Sequence, residues 1–187
     1  MDESLTNIRH ERSKKDFPKL ALEDGEFVEF AILRAKICAF LICGAVIIAF
    51  LILILAFTLV NTGQTYLDDM GKSFVYIILF ALLAATILGG IIASMIYHGN
   101  KLFITNMRVI QMVMNSPVST SVNIIDLSSV EDVSFRQNGI LQKLFGYGTL
   151  RLSTVGDETT YTARFVNVAP EDLNSITKLV SAAKKDD

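Results

Sequence analysis

Two long stretches of this chain, Ile37–Leu67 and Ser73–Asn100, contain no charged side chain. Runs of that length cannot be buried on all faces by a chain of 187 residues, so an ordinary soluble enzyme is excluded. Ile37–Val60 holds 16 Ile, Leu, Phe or Val among 24 residues, and Phe74–Tyr97 holds 13 in the same length. At roughly −0.4 kcal/mol each, the 16 side chains of the first run favour membrane insertion by about 6 kcal/mol. A helix of either length spans about 36 Å, enough for a hydrocarbon core of ~30 Å. Two spanning helices, 37–60 and 74–97, are therefore expected, joined by an external loop over 61–73.

A cleaved signal peptide does not fit the first run. Its polar leader, residues 1–36, is too long, and signal apolar regions are typically about 7–15 residues. The leader carries seven Lys or Arg against Lys72 alone in the connection, with Arg34 and Lys36 at the membrane edge. This bias places both termini in the cytoplasm. On the second helix Ala81, Ala85, Gly89 and Ala93 recur every four residues. Such a stripe allows close helix packing, against the first helix or against another copy. With no ionisable residue in either helix, a channel built from these helices alone is not expected. Cys38 and Cys43 read as small apolar fillers rather than a disulfide framework, and Cys38, near the inner leaflet, is open to acylation.

Residues 98–187 change texture to short alternating runs and form a second, cytoplasmic domain. Strands are expected on either side of Asn106-Met107-Arg108, around Val122 and Ile124, at Glu131–Arg136, at Leu150 and Leu152, and at Tyr161–Phe165. Gly156-Asp157 reads as a hairpin turn. Pro170, followed by Glu171 and Asp172, opens a helix whose Leu173, Ile176, Val180 and Ala183 form one apolar stripe. Six or seven strands and one amphipathic helix predict a small barrel or bent sheet plugged by that helix.

Two segments carry a resemblance. "NKLFITNMR" (Asn100–Arg108) and "IDLSSVEDVSFRQNGILQKLFGYGTLRLSTVG" (Ile125–Gly156) resemble the bacterial PH-like domain of membrane-anchored proteins, type 2. The matching positions are Ile125, Leu127, Val130, Val133, Arg136, Gln137, Phe145, Gly146, Gly148, Thr154 and Gly156. "LEDGEFVEF" (Leu22–Phe30) is similar to the family's segment ahead of a paired-helix anchor. The resemblance implies an α + β membrane protein: a two-helix hairpin followed by a seven-stranded PH-like β-barrel with a C-terminal helix, on the cytoplasmic face of a bacterial inner membrane.

Function is less constrained. Residues 98–187 hold nine basic and nine acidic side chains, so nucleic acid is not an expected partner. Only Arg108 sits near the first hairpin, so phosphoinositide recognition is not expected either. No phosphate loop, paired-cysteine metal spacing or nucleophile elbow occurs, and neither enzyme activity nor a metal or other cofactor is expected. Arg136 and Gln137 read either as partner contacts or as a strand-end pair bonding the next loop. Gly139–Gly148 gathers Leu141, Leu144, Phe145 and Tyr147 beside Lys143. It reads as a docking or lipid-contact loop, or, favoured, as a short helix that covers the barrel mouth, because large apolar groups seldom stay wet. Phe27–Phe30 reads equally as an extra strand on the barrel edge or as an interfacial segment. The composite expectation is a noncatalytic interaction or scaffold module that binds a protein partner or its own copies at the bilayer. Lipid-headgroup sensing and an accessory role in a transport complex are the alternatives.

Overall fold

The computed structural model describes residues 3–62, 68–154 and 160–186, without the side chains of Glu3, Cys38 and Asp186. The Gly156-Asp157 turn and part of the 61–73 connection lie outside these residues. The chain separates into two units: residues up to Ala35 together with His98 onward, and Lys36–Tyr97 between them.

The second unit is a helical hairpin, α2 (Lys36–Asn61) and α3 (Asp69–Gly99). Both helices are long and apolar enough to cross a membrane. They run antiparallel: the Phe57 ring lies 5.5 Å from the Tyr76 ring, the Tyr76 hydroxyl donates to Asn61 Oδ1 at 2.9 Å, and Gly90 faces Val46. Partly covered residues recur at Ile42, Val46, Ala49, Leu53 and Ala56 on α2 and at Tyr76, Leu79, Leu83, Thr86, Gly90 and Ala93 on α3. Steps of three and four average 3.5 residues, the period of left-handed helix packing. The small-residue stripe does not follow this seam. Ala81, Ala85 and Gly89 are exposed, and only Ala93 lies on it. A strict four-residue repeat drifts off a 3.5-residue seam, so the close approach falls on Gly90. A Cβ there would stand 2.9 Å from Val46 Cγ2, whereas at Gly89 it would meet nothing within 4 Å.

The first unit opens with α1 (Glu3–Asp16) and, among the described residues, contains seven strands. Strands β1 (Val28–Leu33), β2 (Lys101–Thr105), β3 (Arg108–Ser116) and β4 (Ser119–Asp126) form one antiparallel sheet in that order. A 3-10 turn (Leu127–Ser129) leads to β5 (Val130–Arg136), followed by α4 (Ile140–Leu144), β6 (Gly148–Thr154) and β7 (Thr160–Val166). β5, β6 and β7 make the second sheet, and α5 (Pro170–Asp186) follows. Among the described residues the unit is thus built from two sheets, where the sequence suggested a small barrel or bent sheet and the resemblance a seven-stranded barrel. They touch at one corner through a bridge between Arg34 and Val166 and the Ala35 N–H donating to the Phe165 carbonyl at 2.6 Å. Phe165 is the extra residue of a bulge, at φ 58°, which turns its carbonyl out of the ladder toward Ala35.

Phe27–Phe30 falls largely in a strand. β1 pairs with β2 from Val28↔Thr105 to Leu33↔Lys101, so a segment that precedes the apolar helices shares a sheet with segments that follow them. Between the sheets Ile32, Ile104, Val109, Leu127, Val130, Leu150 and Leu152 are buried, and α5 closes the core with Ile176 and Val180. The opposite face of the first sheet is also apolar. Phe103 and Ile110 are covered there by Leu20, with Phe17 and Leu22 packed alongside.

Gly90→Leu is expected to destabilise the hairpin by about 1–3 kcal/mol through overpacking. Gly89→Leu should stay within roughly 0.5 kcal/mol of the parent. Thermal unfolding of the two variants in the same micelles measures the difference.

Candidate functional site

Two constellations concentrate the polar and apolar features of the first unit. The first is built on the β2–β3 hairpin. Thr105 ends β2, and its hydroxyl oxygen accepts from the N–H groups of Met107 and Arg108 at 3.2 and 2.9 Å, shaping the turn. That turn aims Arg108 at the leader. Its Nε donates to Glu26 Oε1 at 2.9 Å, its Nη2 to Glu26 Oε2 at 2.8 Å and to the Ala21 carbonyl at 2.9 Å, and its Nη1 to Glu23 Oε1 at 2.7 Å. Glu26 is fully buried and also accepts from the Thr105 hydroxyl and the Glu23 N–H, both at 2.8 Å. Asn106 completes the clasp, accepting from the Phe27 N–H and donating to the Gly25 carbonyl. On the other side His10 Nδ1 lies 2.6 Å from the Glu26 carbonyl, and Ser13 Oγ accepts from the Val28 N–H.

Burial by itself raises the Glu26 pKa. The hydrogen bonds from Arg108, Glu23 and Thr105 and the Arg108 charge outweigh it and hold the carboxyl below its ordinary value. Arg108 is correspondingly raised, chiefly by its hydrogen bond to Glu26. Sequence reasoning placed Arg108 alone at the hairpin. It missed Glu23 and Glu26, whose only signal was their place in the "LEDGEFVEF" segment.

The second constellation is the loop between β5 and β6. Gln137 Nε2 donates to the carbonyls of Gln142 and Tyr147, each at 3.3 Å, and the Asn138 N–H donates back to Gln142 Oε1. Gln137 is therefore a strand-end anchor, while Arg136 is exposed. The glycine spacing has steric causes: Gly146 sits at φ 66°, and a Cβ on Gly148 would come within 2.5 Å of the Arg136 carbonyl. Tyr147 is buried, its ring 6.0 Å from that of Phe165. The expected short helix is present as α4, but its large apolar side chains are exposed. Leu141 is 59% exposed, Leu144 72% and Phe145 48%, and so is Ile140, at 85%, which the sequence did not single out. Gln137 fixes this five-residue helix from its backbone side and leaves the large apolar side chains outward. Lys143 is exposed in the same loop.

Among the described residues no group of three or more His, Cys, Asp or Glu is placed to hold a metal ion. The hairpin clasp has its charged groups paired within the chain, and the loop holds a run of exposed apolar side chains, Ile140, Leu141, Leu144 and Phe145.

Removing one partner of a buried ion pair strands the other, so Arg108→Ala should lower stability by about 3–5 kcal/mol in denaturant unfolding of the full chain. Because the folded pKa of Glu26 is depressed, its contribution is complete above the ordinary value of 4.5 and fades as pH falls below it. Glu26→Gln should be less stable than the parent at neutral pH and lose less on acidification through that range.

No curated protein matches this chain. A crystal structure of a DUF1696 family protein with a pleckstrin-homology domain, from Shewanella loihica PV-4, is similar over 46% of this chain and 70% of its own, at 14% identity and a TM-score of 0.33. The family model for the bacterial PH domain matches residues 28–182, from the first residue of β1, through both apolar helices, into α5. The chain belongs to the bacterial PH-domain family.

Proposed function

We propose that this protein is a membrane-anchored, noncatalytic interaction or scaffold module of the bacterial cytoplasmic membrane. In this reading α2 and α3 cross the bilayer, both termini are cytoplasmic, and the PH-like unit docks a protein partner or a second copy through the Gly139–Gly148 loop. The observation that carries it is the exposure of Ile140, Leu141, Leu144 and Phe145 on a loop held from beneath by Gln137 and Tyr147. Four adjacent large apolar groups held out to solvent suit a surface that becomes covered on association. Arg108 supports a protein rather than a phosphoinositide ligand, because its guanidinium is committed to Glu26 and Glu23. The exposed Ala81, Ala85 and Gly89 suit a helix contact between copies. Confinement to a membrane plane raises effective concentration, so weak contacts suffice.

A photoreactive residue at Leu144 should give one discrete crosslinked species in cells, and Leu141→Asp in the same chain should abolish it. The same probe at buried Tyr147 should give none. Labelling of a tag after Asp187 by an impermeant reagent on intact cells would overturn the topology.

A further inference from the structure

The leader does more than cover the outer face of the first sheet. Where it leaves α1 it forms a cleft of about 240 Å³ with β2 and β3. Phe17, Phe103 and Met112 make its floor, with Phe17 edge-on to Phe103 at 5.1 Å between ring centroids. Lys19, Lys101 and Asp16 stand around it, all exposed. Among the described residues neither lysine has a carboxylate within ion-pair distance. Two unpaired ammonium groups above an aromatic and thioether floor suit a ligand that is anionic at one end and apolar at the other.

The position of the cleft narrows the choice. Lys101 is the first residue of β2, and only Asn100 separates it from the end of α3. In the sheet it pairs with Leu33, the last residue of β1, which two residues separate from the start of α2. The cleft therefore opens at the end of the first sheet where the chain departs for, and returns from, the two apolar helices. Lys101 follows the end of α3 by two residues and Leu33 precedes α2 by three, so the inference rests on the membrane-anchored reading above, in which both helices span a bilayer. Two lysines and one aspartate leave a single net positive charge around the opening. That matches a phosphodiester bearing one negative charge, and Asp16 disfavours a polyanionic headgroup.

We propose that this cleft binds a monoanionic glycerophospholipid such as phosphatidylglycerol, its phosphate between Lys19 and Lys101 and its glycerol and upper chains over Phe17, Phe103 and Met112. The full chain, purified in a neutral detergent and titrated with short-chain phosphatidylglycerol, should retain the lipid in native mass spectrometry. At about 1 kcal/mol per basic residue beside an anionic lipid, each of Lys19→Ala and Lys101→Ala should weaken retention about five-fold, and the double variant more. Lys101→Arg should restore it, and Lys14→Ala, on α1 outside the cleft, should leave it unchanged. Phosphatidylcholine should not be retained, and inorganic phosphate should not compete. Unchanged retention in the double variant, an equal loss in Lys14→Ala, or displacement by inorganic phosphate would each overturn the proposal. Alkaline extraction of membranes tests the anchor separately: release of the chain defeats the anchored reading, whereas retention with no lipid bound in detergent defeats the cleft alone.

Discussion

The PH-like unit depends on one long-range ion pair, Arg108 with buried Glu26, which joins residues 82 positions apart in the chain. Between them lie the end of the leader and both apolar helices, so the first sheet is completed across an inserted hairpin rather than by consecutive strands. Closing a flexible loop of that length costs roughly 4 kcal/mol of chain entropy beyond a constant. The α2–α3 pair reduces that cost, because an antiparallel hairpin returns the chain near its point of departure. The Arg108–Glu26 clasp then fixes register: β1 is paired with β2 from Val28 to Leu33, and the clasp sits where that pairing begins. A buried carboxylate is tolerable here only because Arg108, Thr105 and the Glu23 N–H all donate to it.

What the amino-acid order made legible follows from local periodicity. The apolar helices were visible from uncharged runs alone, though α3 begins at Asp69, earlier than hydropathy suggested, because Asp68 accepts from the Gly71 N–H and starts the helix outside the apolar stretch. The strands after residue 100 and the α5 stripe were visible because alternation and the 3.6-residue period are short-range signals. The partner of β1 was not, since nothing in Val28–Leu33 encodes a strand nearly 70 residues later. The α2–α3 seam was not legible for a related reason: Ala81, Ala85 and Gly89 read as a packing face toward either the first helix or another copy, and within the hairpin the close approach to α2 falls on Gly90. The exposure of the 140–145 loop was hidden because composition records how apolar a segment is, not which way its side chains face.

The leader's role follows from the apolar character of both faces of the first sheet. Ile104 and Val109 face the core, while Phe103 and Ile110 face the other way and need a second cover. Phe17, Leu20 and Leu22 supply it over β2 and β3 but stop short of β4, where Val122 and Ile124 on the same face are half exposed. β4 is an edge strand with no charged residue before Asp126, so it lacks the side chains that usually discourage edge pairing. The leader is thus both a structural layer and the limit of that layer.

The same arrangement divides the unit's cations into two kinds. Arg108 is held in a full set of hydrogen bonds, and moving it to meet a ligand would strand Glu26 in the interior. That cost makes the hairpin a poor site for an inducible ligand, even though it carries the most elaborate polar network in the unit. Lys19 and Lys101 have no such commitment and can accept an anion without breaking anything. A polar cluster that is fully satisfied internally is evidence of architecture; charge and apolar surface left unsatisfied, as in the cleft beside Lys101 and the loop from Ile140 to Phe145, are what the two proposals rest on.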